Sequence, residues 1–236
     1  MKSIKKLLFK LIFFVPNYIL ETYLFEFRSY VGRAFTGKLK TAGKEQVYIN
    51  LGSGRTPHKD FINIDFFFEP KIDYGCDLRY PLRIASNVAN GIFCEHTMEH
   101  INYEDNTQLF KECHRILKPG GTIRIILPDI SLFTKNYEEG NQEWFEKYED
   151  YSLNNSSDPK RDKMSFDTPM KAISFVTQEY FHVSCWDEQT LRLYLTQAGF
   201  KDISVQSWRK GKDDMLLIDS PKESRKHVSI YIEATK

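Results

Sequence analysis

The sequence is short of paired cysteines, of net charge and of long apolar runs, and each shortage removes a class of protein. Its four cysteines, Cys76, Cys94, Cys113 and Cys185, are widely spaced and form no Cys-x-x-Cys pair, which argues against a zinc ribbon or a redox motif. They are expected to be reduced thiols of a cytoplasmic protein. Lys and Arg number 33 against 32 Asp and Glu, a net charge of +1, so no global field draws in nucleic acid. The apolar stretch near the N-terminus is interrupted by Lys10 and broken by Pro16, far short of the roughly 20 residues a membrane span needs, and no small-residue cleavage site follows. There is no internal repeat and no long low-complexity tract. What remains is a chain of 236 residues, enough for one α/β domain with a sizeable core.

Against that background one stretch stands out. Val47 to Asp65, VYINLGSGRTPHKDFINID, reads as an apolar strand, a Gly-x-Gly turn and a second apolar strand ending in a carboxylate. That is the opening of a nucleotide-type site in a doubly wound sheet. Gly52 and Gly54 let the backbone turn sharply and approach a ligand, and Asp65 stands where a carboxylate accepts hydrogen bonds from ribose hydroxyls. The third glycine of the dinucleotide fingerprint is replaced by Pro57, and Asp65 comes sooner than the about 20 residues a dinucleotide fold requires. The stretch from Gly54 to Phe61 is also too short for a crossover helix of a dozen residues or more, so the first helix is expected to be vestigial or absent. A dinucleotide's pyrophosphate relies on that helix N-terminus, so the shortening disfavours NAD.

The rest of the chain continues the alternation. Strands are predicted near 47–51, 61–65, 72–75, 91–94 and 122–127, the last entered through a Pro-Gly-Gly turn, with helices near 103–117 and 187–198. Lys201 to Ser207 and His227 to Glu233 alternate as strands do. Between the 122–127 strand and the 187–198 helix, residues 130–180 interrupt the pattern with a polar middle, expected to be a helical or mobile insertion on the substrate side. Residues 1–43 form a separate arm ahead of a domain spanning 44–236. On a helical wheel Ile4, Leu7, Leu8, Leu11, Phe14 and Val15 share one face and Lys2, Lys5, Lys6 and Lys10 the other, a basic amphipathic helix. It fits either peripheral contact of residues 1–16 with anionic lipid on the inner membrane surface or packing on the sheet.

In order along the chain, NLGSG (50–54), NID (63–65), CDL (76–78), EHTMEH (95–100), RILKPGG (115–121) and QAGF (197–200) resemble the class I S-adenosylmethionine-dependent methyltransferases, most closely the type 11 group. The resemblance covers roughly residues 45 to 235. It implies a mostly parallel seven-stranded sheet with a C-terminal antiparallel pair, and S-adenosylmethionine as cofactor. By the same resemblance the cofactor is held by Asn50, Leu51, Gly52, Ser53, Gly54, Asp65, Asp77, Leu78 and Glu95. Asp65 takes the ribose in that scheme, and Asp77 with the Leu78 backbone takes the adenine. Asn50 stands where many relatives have an acidic residue. The arm and the insertion resemble members that act on cell-surface saccharides or lipid-linked intermediates. That implies a small-molecule or glycan acceptor, methylated at oxygen, and no nucleic acid, since no Asn-Pro-Pro-Tyr type motif follows the fourth strand.

The segment EHTMEH allows two further readings. His96 and His100, with Glu99 to orient one of them, are candidates to take a proton from an oxygen or nitrogen acceptor, and His182 in EYFHVSCW could reach the same cleft. The run His96 to His100 also spells H-x-x-E-H, a zinc-peptidase pattern that requires both histidines on one face of a long helix. No set of four metal ligands emerges from the sequence. A third class, a cofactor-binding scaffold without catalysis, shares the same fold.

Overall fold

Apolar side chains at every second position decide which face of each strand is buried, and in the computed structural model of this chain that alternation builds one seven-stranded sheet. The structure describes residues 46–54, 57–66, 72–154, 165–178 and 181–236, with scattered positions between 20 and 39. In chain order the strands are β1 (Tyr48–Leu51), β2 (Ile62–Asp65), β3 (Tyr74–Gly75), β4 (Ala89–Glu95), β5 (Leu117–Pro128), β6 (Lys201–Val205) and β7 (Ser229–Thr235). From residue 46 onward the α-helices are α1 (Tyr103–Ile116), α2 (Ile130–Glu138), α3 (Gln142–Glu149), α4 (Pro169–Gln178), α5 (Glu188–Gln197) and α6 (Glu223–Val228).

The spatial order is β3-β2-β1-β4-β5-β7-β6, with β1 to β5 parallel and β7 antiparallel to both of its neighbours. This is the doubly wound, mostly parallel sheet with a C-terminal antiparallel pair that the sequence predicts. The order reverses between β1 and β4, and ligands bind at the carboxyl ends of strands beside such a reversal. Between β1 and β2 the described residues form turns, as the short spacing requires.

On one face Ile49, Ile92, Cys94, Ile123, Ile125 and Ile232 form the main core with the helices α1 and α5. Helix α1 starts because the Asn102 side chain accepts from the Asp105 N–H, and it presents Asn106, Leu109, Phe110, Cys113 and Ile116 on one stripe. Leu109, Phe110 and Ile116 are each at most 1% exposed, and burying each is worth roughly 1.5–3 kcal/mol. On the other face Tyr48, Phe93, Ile126 and Tyr231 pack with Phe61 and Leu216. That face also buries Arg124, whose five N–H donors reach Asp219 (Nε 2.7 Å, Nη2 2.5 Å), Glu233 (2.9 Å), Lys210 O (3.0 Å) and Ser207 O (3.1 Å).

Two features differ from the sequence expectation. Strand β5 begins at Leu117, and a register shift against β4 between Ala89 and Gly91 takes up the Pro-Gly-Gly segment as an irregularity within the strand rather than a turn before it. His227 lies in α6, so the last strand starts at Ser229. The insertion is helical on both sides of residues 155–164, which lie outside the described residues. Its helices share a core of Phe133, Phe145, Tyr148, Phe166, Ala172 and Phe175, in which the Tyr148 and Phe166 rings stack with centroids 5.5 Å apart. Aromatic burial supplies what the low aliphatic content left unseen.

The amphipathic segment, residues 1–16, lies outside the described residues. Among the described residues no helix is long and apolar enough to cross a membrane. All four cysteines are free thiols.

Candidate active site

The glycine turn is fastened to the end of β2. The N–H groups of Gly52 and Ser53 both donate to Ile64 O (2.8 and 3.0 Å), and Gly54 N–H donates to Asp65 Oδ2 at 2.8 Å. Gly52 and Gly54 have φ of +68° and +57°, the left-handed region that side chains resist. Their surroundings differ. A Cβ on Gly52 would lie 2.0 Å from Thr97 Oγ1, whereas among the described residues nothing lies within 4 Å of a Cβ on Gly54. Gly52 is therefore the point where the turn packs on the loop after β4, and Gly54 borders open space beside the Asp65 carboxylate. A carboxylate next to a side-chain-free turn at the sheet reversal fits the ribose of an adenosyl compound.

Several residues predicted to touch the cofactor are engaged elsewhere. Asn50 donates to Asn63 Oδ1 across the β1–β2 pair (3.3 Å), and Asn63 also bonds the carbonyls of His58 and Phe61, which pins the short crossover to β2. The Asp77 carboxylate accepts from Arg79 Nε and Nη2 (3.0 and 2.7 Å), and the same guanidinium bonds Glu26 of the arm. The Asp77 side chain thus faces a cation rather than an adenine amine. The buried Leu78 and the Leu51 backbone, whose carbonyl accepts from the Thr97 hydroxyl at 3.4 Å, complete this rim. Glu95 accepts from Ser220 N–H (3.3 Å) and pairs with Arg225 Nη1 (3.2 Å), which turns it away from the glycine turn toward α6.

Four other predicted residues do converge. His96 ends β4 with φ of +49°, a conformation that costs a non-glycine residue about 1–3 kcal/mol and redirects the chain into a 3-10 turn at Met98–His100. That turn is held rigidly: Asn106 of α1 donates to the carbonyls of Met98 and Ile101 (2.9 and 2.8 Å), and Ser184 Oγ donates to the Ile101 carbonyl at 2.8 Å. Trp186 Nε1 donates to the same Ser184 oxygen at 2.9 Å. Val183 N–H donates to Glu99 O at 2.8 Å, which docks the segment after the insertion and sets His182 beside the turn. His96 Nδ1 lies 3.2 Å from Glu99 Oε1 and its Nε2 is 2.9 Å from Ser229 Oγ. His182 Nε2 lies 3.9 Å from the same Glu99 oxygen, and the His100 and His182 rings meet edge to face at 4.7 Å.

Glu99 is 2% exposed. Burial acts to raise its pKa, but contact with His96 and the charges of His96, His100 and His182 outweigh it and hold the carboxyl at about 2. Burial lowers the His100 pKa. The histidines and Glu99 form one wall of a cleft of about 360 Å³, closed on the other sides by Tyr148 and Phe175 of the insertion and by Lys222 and Arg225. Ser229 was missed by sequence reasoning because no local signal links the start of β7 to the end of β4; only the β5–β7 pairing does.

The H-x-x-E-H peptidase reading fails on this geometry. His96 lies outside any helix and the turn that carries His100 has three residues, so the two histidines do not share a helix face.

A family model described as a methyltransferase domain matches residues 69–125. Among solved structures, a SAM-dependent methyltransferase from Archaeoglobus fulgidus is 17% identical, with 98% of this chain and 99% of that chain covered and a TM-score of 0.48. A possible histamine N-methyltransferase from Thermotoga maritima is 15% identical, covering 93% and 92%, with a TM-score of 0.45. Phosphoethanolamine N-methyltransferase 2 of Haemonchus contortus, in complex with S-adenosyl-L-methionine, is 13% identical, covering 87% of this chain and 51% of that chain, at 0.45. No curated protein matches the chain. Residues 69–125 thus match the model of a methyltransferase domain.

Proposed function

We propose that this chain transfers a methyl group from S-adenosylmethionine to a hydroxyl of a small molecule or saccharide, such as a cell-surface glycan or a lipid-linked intermediate. The observation that carries the reading is the convergence of His96, Glu99, His100 and His182 on a cleft at the carboxyl end of β4, one residue before Thr97 meets the glycine turn. When bound, the cofactor supplies a methyl group on a cationic sulfur, open to in-line displacement.

Asp65 holds the ribose, Gly54 leaves room for the chain to approach it, and the Leu78 backbone borders the adenine side. The Asp77 carboxylate, committed to Arg79, sets the shape of that rim instead of contacting the ligand. In the cleft, alignment of the acceptor oxygen does most of the work. Tyr148 and Phe175 give the cleft an apolar wall, and Lys222 and Arg225 suit an anionic group on the acceptor. The proton of the acceptor hydroxyl passes to His96 Nε2 by way of the Ser229 hydroxyl that lies against it, which gives its own proton to Nε2 as it takes the acceptor's, while Glu99 orients the ring from Nδ1.

The test is transfer of a labelled methyl group to a panel of saccharides and small alcohols, beside cofactor titrations of two variants. Asp65→Ala should weaken S-adenosylmethionine binding by about 10- to 100-fold, the worth of a charge-assisted hydrogen bond. His96→Ala should bind the cofactor as the wild type does and turn over more slowly. Equal loss of binding in both variants would refute the division of roles.

A further inference from the structure

The methyl-transfer reading leaves one arrangement in the cleft wall unexplained. Both Glu99 carboxylate oxygens are buried and neither accepts a hydrogen bond; Oε1 faces His96 Nδ1 and His182 Nε2 without the alignment of one. A buried carboxylate left in this state is costly unless a cation meets it. His96 Nδ1, at 3.2 Å, is the nearest imidazole nitrogen; the carboxylate is also faced by His182 and His100. His182 Nδ1 is 2.6 Å from Val176 O, a group that only accepts, so Nδ1 carries a proton, and in the neutral ring the Nε2 lone pair is aimed toward Glu99. The His100 ring meets the His182 ring edge to face, with centroids 4.7 Å apart.

Glu99, His100 and His182 each offer one ligand atom, and these atoms lie within 4.8 Å of one another. Three ligand atoms therefore converge on one point of the cleft wall. A histidine whose second ring nitrogen is fixed by a backbone carbonyl, as His182 is by Val176 O, is the pattern found around bound metal ions, because that bond sets the tautomer and aims the lone pair. We propose that Glu99, His100 and His182 bind a divalent transition-metal ion of the zinc class in the wall of the cleft, through one carboxylate and two imidazoles. Three protein ligands leave a coordination position for a hydroxyl from the cleft, as in catalytic rather than structural sites. The ligand set is not that of the H-x-x-E-H peptidases: the glutamate is a ligand, and His96 stays outside with Nε2 on Ser229. A role for the ion in holding the acceptor oxygen rests on the reading of this cleft as the acceptor site; the binding of the ion does not.

The experiment is a calorimetric titration of the chelator-treated full-length protein with zinc and with manganese, in the absence of S-adenosylmethionine, alongside Glu99→Gln, His182→Ala and the control His58→Ala. The expected result is one ion per chain for the wild type and the control. Each ligand variant should lose more than about 100-fold in affinity, since second-sphere losses alone cost about 10- to 100-fold. As a measurement that needs no variant, cobalt added to the wild type should give the visible absorption of a site with nitrogen and oxygen ligands. No binding of either ion by the folded wild type, or unchanged affinity in both ligand variants, would overturn the proposal. Metal binding without S-adenosylmethionine binding would leave this site standing and remove the methyl-transfer reading.

Discussion

Replacing Gly52 by alanine tests the contact that joins the cofactor turn to the acceptor loop. Two costs add at this position. The left-handed backbone, φ +68°, strains any residue with a Cβ by about 1–2 kcal/mol. The new Cβ would also sit 2.0 Å from Thr97 Oγ1 and 2.4 Å from Cγ2, so Thr97 must move. Moving it off its rotamer costs about 0.5–1.5 kcal/mol. Losing its hydroxyl bond to Glu95 O, 3.2 Å long, costs about 0.5–1.5 kcal/mol more. Gly54→Ala carries only the first cost, because its Cβ meets nothing among the described residues. Urea denaturation should therefore show Gly52→Ala destabilised by about 2–5 kcal/mol and Gly54→Ala by about 1–2 kcal/mol. In a double-mutant cycle Thr97→Gly should recover most of the difference. Gly54→Ala should instead weaken S-adenosylmethionine binding, since its methyl group fills the open side of the turn. Equal destabilisation by the two alanines, with no coupling to Thr97, would refute the reasoning.

Three further expectations follow from charges and from the arm. Arg124→Met leaves Asp219 and Glu233 buried without their cation and should cost about 3–5 kcal/mol in urea midpoint analysis; a loss below about 1 kcal/mol would mean the buried network is not stabilising. The Glu112 carboxyl is held below its usual 4.5, first by hydrogen bonds from Arg115 and then by the Leu82 N–H. A carboxylate depressed on folding stabilises above its unfolded pKa and ceases to as pH falls through the folded value. The stability gap between wild type and Glu112→Gln should thus be full at neutral pH and close below about pH 4, the ordinary glutamate range; a gap constant from pH 7 to 3 would contradict it. Deleting residues 1–16 should reduce sedimentation with anionic vesicles, and unchanged sedimentation would favour packing of that segment on the domain.

Much of the sheet was legible because its signals are local. The strand-turn-strand run around Gly52, the capped stripe of α1 and the alternation in β4, β5 and β7 each announce themselves within a dozen residues. The insertion was not, since its core is made by aromatic pairs such as Tyr148 and Phe166 that lie far apart in sequence. In the candidate site the sequence marked the right histidines but not their geometry. His96 and His100 look like helix neighbours until the positive φ at His96 separates them, and His182 joins them only because Val183 N–H docks on Glu99 O. Asp77 and Glu95 carry the family pattern, yet their partners, Arg79 with Glu26 and Arg225 with Ser220, include long-range contacts that no spacing reveals.

The central claim is best tested by titrating the purified protein with S-adenosylmethionine, its demethylated product and NAD in parallel, with Asp65→Ala beside the wild type. The account predicts micromolar binding of both adenosyl compounds, none of NAD, and marked weakening in Asp65→Ala. Silence of the folded protein toward both adenosyl compounds, or binding that Asp65→Ala leaves untouched, would contradict it.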